Sequence, residues 1–223
     1  MKVGITNMRK KCTKKFGKIG ISVIVVMLSV GIAIPVFAGS QYSELFKNWG
    51  QKLKEYSDKE NTETEQLQPQ NMIMLSEEDI QLATSFYELQ GYDESSARTE
   101  AETYLLEREA LYQEAIKNGY TVTDEEVWTY LDELKKIIDS AENKEDAYAI
   151  MSAFDSEDEY WAYEFKVYQK NLPIQNYVKS LETQFYEEYS NSEKAKGIEQ
   201  TWEDYFENYK QELVQQKQYE VKE

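Results

Sequence analysis

The chain has 223 residues, with 25 basic and 42 acidic side chains and a formal net charge of −17. Histidine is absent and cysteine occurs once, which excludes Ser-His-Asp and Cys-His nucleophile systems and any zinc or di-iron site built on histidine. So acidic a surface repels nucleic acid and anionic lipid, and nucleic-acid binding is the first functional class to discard.

Residues 1–38 differ from the rest. Arg9, Lys10, Lys11, Lys14, Lys15 and Lys18 form a basic head, followed by a nearly charge-free apolar run from Ile19 to Ala38 that ends on Pro35, Val36, Phe37 and Ala38. A basic head, an apolar middle and small residues before a cut site read as a secretory signal peptide. The run is also long enough to span a hydrocarbon core as a helix. Two outcomes fit: cleavage after Ala38, or retention as an N-terminal membrane anchor over residues 19–38. Either way the remainder is expected outside the cytoplasm, because the basic flank stays inside. Cys12 lies in the head, so the exported part has no disulfide and must be held by its core alone. About 150 helical residues suffice, since a domain of that size buries roughly 70% of its unfolded surface. Seven of the 25 basic residues and none of the 42 acidic ones precede Gly39, so the exported part carries a net −24.

Residues 39–71 read as a polar spacer. Ser43–Lys54 has the pattern of a short helix, but Glu60–Asn71 is Gln-rich, polar and interrupted by Pro69. That composition buries too little apolar surface to offset its ordering entropy. The folded domain is therefore expected over residues 72–223.

From Met72 onward the pattern is helical. Ser76 with Asp79 marks a cap, and Ile80, Ala83 and Tyr87 form a stripe that closes at Gly91. Asp93 caps a long second helix with Ala97, Ala101, Tyr104, Leu105, Leu111, Tyr112 and Ala115 at a period near 3.6. Gly119 follows where a left-handed residue is required. Thr123 and Glu126 form a capping box ahead of the stripe Val127, Leu131, Leu134, Ile138. Ala147, Ile150, Met151 and Phe154 mark a short fourth helix. Ser156 with Glu159 is a second capping box, opening an aromatic helix through Tyr160, Trp161, Phe165 and Tyr168. Pro173 should kink or end it, and a further helix runs to about Tyr189. Residues 191–197 read as a loop, Trp202, Tyr205, Phe206, Tyr209 and Leu213 as a last helix, and Gln218–Val221 as a candidate strand. Prolines and glycines are too few for the turns of a sheet protein. The expected class is all-α, an irregular multi-helix domain behind the apolar N-terminal segment.

Catalytic patterns are missing. There is no phosphate-cradling glycine motif, and the densest acidic run, Asp155–Glu159, lacks the central Gly and distal Glu of a calcium loop. It suits a helix N-terminus, where acidic residues are electrostatically favoured. No metal, cofactor or catalytic residue is expected. The positive anomaly is aromatic: 18 Tyr, 6 Phe and 4 Trp follow residue 38. Phe154, Phe165, Phe206 and Leu111 are assigned to the core. Trp128 and Tyr130 flank the Val127 stripe, and the pairs Tyr160/Trp161 and Tyr186/Tyr189 are not expected to point inward together. These six are the candidate polypeptide-binding residues, because rigid amphipathic rings at a surface suit recognition of mixed sequences.

The stretch Leu105–Leu134 (LLEREALYQEAIKNGYTVTDEEVWTYLDEL) resembles the helix–Gly–capping-box–helix core of the SurA/PrsA-type exported chaperones. Leu111 to Ala115, Gly119 and Val122 to Val127 carry the resemblance. Glu159, Tyr160 and Trp161 are similar to the start of that family's next long helix, Phe185–Tyr189 to its approach to the isomerase domain, and Trp202–Gln216 to the helix that returns to the chaperone core. Where the family carries a parvulin domain of roughly 90 residues, this chain has only the short segment between Tyr189 and Trp202. The resemblance thus implies an ATP-independent holdase without prolyl isomerase activity, sheltering unfolded or extended segments of exported proteins. A helical protein dedicated to one extracytoplasmic partner is the alternative.

Overall fold

A computed structural model describes residues 42–60, 72–191 and 201–222. These hold seven helices and a two-stranded parallel sheet: α1 (Tyr42–Glu60), β1 (Met72–Ser76), α2 (Glu77–Leu89), α3 (Glu94–Lys117), α4 (Asp124–Ser140), α5 (Lys144–Met151), α6 (Glu157–Asn191), α7 (Trp202–Gln215) and β2 (Gln218–Lys222). The apolar segment 19–38 and the Gln-rich stretch 61–71 lie outside the described residues.

Local signals act where the sequence places them. The Ser76 hydroxyl accepts the Asp79 N–H at 3.0 Å, and the Asp93 carboxylate accepts the Ser96 N–H at 3.1 Å. At Thr123 the box is reciprocal: its hydroxyl accepts the Glu126 N–H at 3.3 Å while the Glu126 carboxylate accepts the Thr123 N–H at 2.7 Å. The second box is offset. Ser156 accepts the Glu159 N–H at 3.1 Å, but Glu159 reaches back to the Asp155 N–H at 2.7 Å. Gly119 takes φ 84°, which lets the Tyr120 N–H close on the Ala115 carbonyl at 3.0 Å.

Burial divides into two clusters. The larger joins Phe46, Trp49 and Leu53 of α1 to Val127, Leu131, Leu134 and Ile138 of α4, to Ala147, Ile150 and Met151 of α5, and to the first half of α6. The smaller packs Ile73 and Leu75 of β1 with Ile80, Ala83, Ala101, Leu105, Ala110, Leu111 and Leu213. Ion pairs tie the layers at their margins, with Lys54 to Glu159 at 3.0 Å, Lys170 to Glu109 at 2.7 Å and Lys210 to Glu107 at 2.6 Å.

Three expectations need correction. Residues 42–60 are no spacer: α1 packs against α5 and α2, with Trp49 and Leu53 sealed in the larger core. The chain around them is polar, so only the partner helices reveal the apolar stripe Phe46, Trp49, Leu53 as a core element. Of the two outcomes expected at Pro173, a kink or an end, the end is overturned, because α6 runs through it to Asn191. Packing of the buried stretch Asn171–Pro173 holds the helix where propensity alone would break it. The domain is also not wholly helical. The tail strand is present as β2, and its partner β1 uses the run MIMLS at the start of the folded region.

Candidate functional site

The candidate aromatics fall into three environments. On α4, Trp128 is 41% exposed and lies nearly flat on Phe165 of α6, with ring centroids 4.7 Å apart and planes at 21°. Tyr130, half-buried, leans on Tyr168 at 4.9 Å from the opposite flank of the same stripe. Thr123, Glu125, Glu126, Thr129, Tyr130 and Glu133 line an open depression of about 480 Å³. The Thr123 N–H and hydroxyl hold the Glu126 carboxyl below its usual pKa, so this rim stays anionic.

Tyr160 and Trp161 are not at a surface. Tyr160 is fully buried and Trp161 is 4% exposed, which corrects the expectation that they contact other polypeptides. Neighbouring helix positions point about 100° apart, so both can be covered only if α6 is flanked on two sides. Here it is: Tyr160 packs edge-on to Phe154 at 5.2 Å beyond α5, while Trp161 lies under Lys135 of α4 at 4.8 Å. The Trp161 indole N–H donates to Glu157 at 3.0 Å, so the ring is satisfied as well as enclosed.

The third environment is the junction of α6 with α7. Tyr186 is 50% exposed and meets Phe185 edge-on at 5.3 Å. Phe185 in turn lies 5.7 Å from Trp202 and 5.1 Å from Tyr205. Trp202 stacks on Phe206 at 5.2 Å, and Tyr205 on Tyr209 at 6.2 Å. The Tyr209 and Tyr177 hydroxyls share a short hydrogen bond, and Tyr177 continues the series to Tyr120 at 5.3 Å. Burial raises the pKa of both hydroxyls, so both stay neutral at physiological pH. Phe185, Trp202, Tyr205, Phe206 and Tyr209 are all half-buried, and the only fully buried residue of α7 is Leu213. Tyr189 belongs to α6, but its side chain lies outside the described residues.

This array joins five half-covered rings to the exposed Tyr186, and of these six only Tyr186 is expected from the sequence at a binding surface. The signal was present: residues 202, 205, 206 and 209 sit on one helical face. What the spacing could not show is that α7 packs on α3, so that the rings it turns toward α6 stay half covered. Phe206, expected in the core, belongs to this boundary, as does Phe165 beneath Trp128. Exposed Glu187, Glu188, Glu203, Asp204 and Glu207 surround the array with negative charge.

Among the described residues no group of three or more His, Cys, Asp or Glu side chains is placed to hold a metal ion, and no helix is long and apolar enough to cross a membrane. The chain matches no family model, no curated protein and no solved structure.

Proposed function

We propose that the protein is an exported, ATP-independent, chaperone-like binder that holds unfolded or extended segments of other exported polypeptides and has no prolyl isomerase activity. The observation that carries this reading is the half-buried aromatic array at the α6–α7 junction, together with Trp128 on Phe165. Ring faces at a core–water boundary gain apolar contact with many sequences while demanding little of their geometry. The acidic margin adds a preference for segments that carry Lys or Arg beside apolar residues. The leader-like residues 1–38 and the resemblance over Leu105–Leu134 support the same reading.

The test is suppression of aggregation. Near-stoichiometric amounts of the protein should slow light scattering by several chemically denatured clients, and a proline-peptide isomerisation assay should stay at background. Failure with every client would dispose of the proposal. The burial of Tyr160 and Trp161 favours a second reading, because it narrows the aromatic surface left for gripping many different clients. Under that reading one dedicated partner is captured tightly and no general suppression is seen.

A further inference from the structure

We infer that the aromatic array at the α6–α7 junction takes proline-rich segments of other polypeptides in the polyproline II conformation, flanked by arginine or lysine. This rests on the polypeptide-binding reading and names the class of segment that the array prefers.

Two helices build the junction, and helix backbones satisfy their own N–H and C=O groups. A segment bound there is gripped by side chains alone. Along α7, Trp202 stacks on Phe206 with planes at 15°, and Tyr205 on Tyr209 with planes at 8°. Phe185 of α6 closes against both Trp202 and Tyr205. The Tyr209 hydroxyl is engaged with Tyr177. By contrast, the Trp202 indole N–H and the Tyr205 hydroxyl have no partner among the described residues, and neither atom is sealed from solvent. The array therefore offers half-covered rings and two free donors.

Those donors decide what fits. A bound α-helix has its carbonyls already paired, so it would cover the two donors and leave them unsatisfied. An ordinary extended segment would bring its own N–H groups over the rings, where they lose water and find no main-chain acceptor. A polyproline II segment avoids both costs. Its carbonyls are free because the conformation has no internal hydrogen bonds, and proline carries no N–H. Its rings pack on aromatic side chains, and its preformed shape loses little entropy on binding. Charge sets the flank: exposed Glu187, Glu188, Glu203 and Asp204 have no basic partner among the described residues, whereas Glu207 is paired with Lys210 at 2.9 Å. A basic residue beside the prolines meets these carboxylates. The occupant is not this chain or a second copy of it, because its three prolines, Pro35, Pro69 and Pro173, each stand alone.

Titration calorimetry with a capped ten-residue peptide, proline at two of every three positions and two arginines at one end, tests this on the intact protein. The same peptide with alanine for every proline should bind at least about fivefold more weakly, because it regains N–H groups and loses its preformed shape. Trp202→Phe and Tyr205→Phe each keep a ring and remove a donor. With circular dichroism unchanged, each should weaken the proline peptide by about fivefold and leave the alanine peptide unaffected. Glutamine in place of the two arginines should also weaken binding and flatten its salt dependence. Equal affinity for the proline and alanine peptides, or full affinity in both Phe variants, would overturn the inference. So would tighter binding of the alanine peptide with a gain of helix, which would assign the array to a helical partner. If aggregation suppression is intact in any of these cases, the aromatic reading stands without the proline preference.

Discussion

Glu164 shows how one residue can set a pH dependence. It lies on α6 inside the larger core, is 1% exposed, and neither carboxyl oxygen has a hydrogen-bond partner among the described residues. Burial pushes its pKa up to about 8, and outweighs the lowering by the neighbouring Tyr160 hydroxyl. The acid is therefore neutral in the folded state near pH 7 and ionised in the unfolded one. The sign follows from proton uptake: the folded state binds the extra proton, so this contribution to stability is complete below pH 4.5 and falls away up to about pH 8. The slope is about 1.4 kcal/mol per pH unit, or on the order of 3 kcal/mol lost by neutral pH. Glu164→Gln removes the titration. Urea midpoints for the variant and the wild type should diverge steadily from pH 5 to pH 8 in the variant's favour, and parallel curves would refute the assignment. At Thr123, a Thr123→Ala change should cost about 1 kcal/mol in chemical denaturation, because it removes the acceptor for the Glu126 N–H in the first turn of α4.

At the scale of elements, the α1–α5 contact depends on a missing side chain. A Cβ added at Gly50 would stand 2.4 Å from the Ile150 carbonyl oxygen and 2.9 Å from its Cα, both of them backbone atoms that cannot swing aside. Helix propensity alone would make Gly50→Ala stabilising by about 1 kcal/mol. Overpacking of two helix backbones outweighs it, and a net loss of about 1–2 kcal/mol is expected. A rise in melting temperature would show that α1 does not press on α5 this closely. The same contact explains why residues 42–60 misread as linker. Their apolar positions are few, and Phe46, Trp49 and Leu53 gain their value only from packing against α5 and α2 at the edge of the larger core.

For the whole molecule, charge and uncovered rings act together. Removing two exposed rings, Trp128→Ala with Tyr186→Ala, should leave the unfolding midpoint within about 1 kcal/mol of wild type, since neither ring is sealed in a core. Aggregation suppression should fall several-fold. A double variant that suppresses as well as wild type would remove the aromatic basis of the proposal. Clients rich in Lys and Arg should also be held less well as salt rises from 0.01 to about 0.5 M, because screening shortens the reach of the acidic margin.

The sequence alone determined the parts governed by neighbours a few residues away. The caps at Ser76, Asp93 and Thr123, the left-handed Gly119, and the core stripe of α4 all follow from periodicity and orphan backbone groups. Tertiary structure alone decided what lies far apart in the chain. It buried Tyr160 and Trp161 by flanking α6 on two sides and carried that helix through Pro173. It paired β1 with a strand 146 residues later, and left the α7 rings half covered. Those outcomes depend on which surfaces meet, and the local spacing of residues carries no information about that.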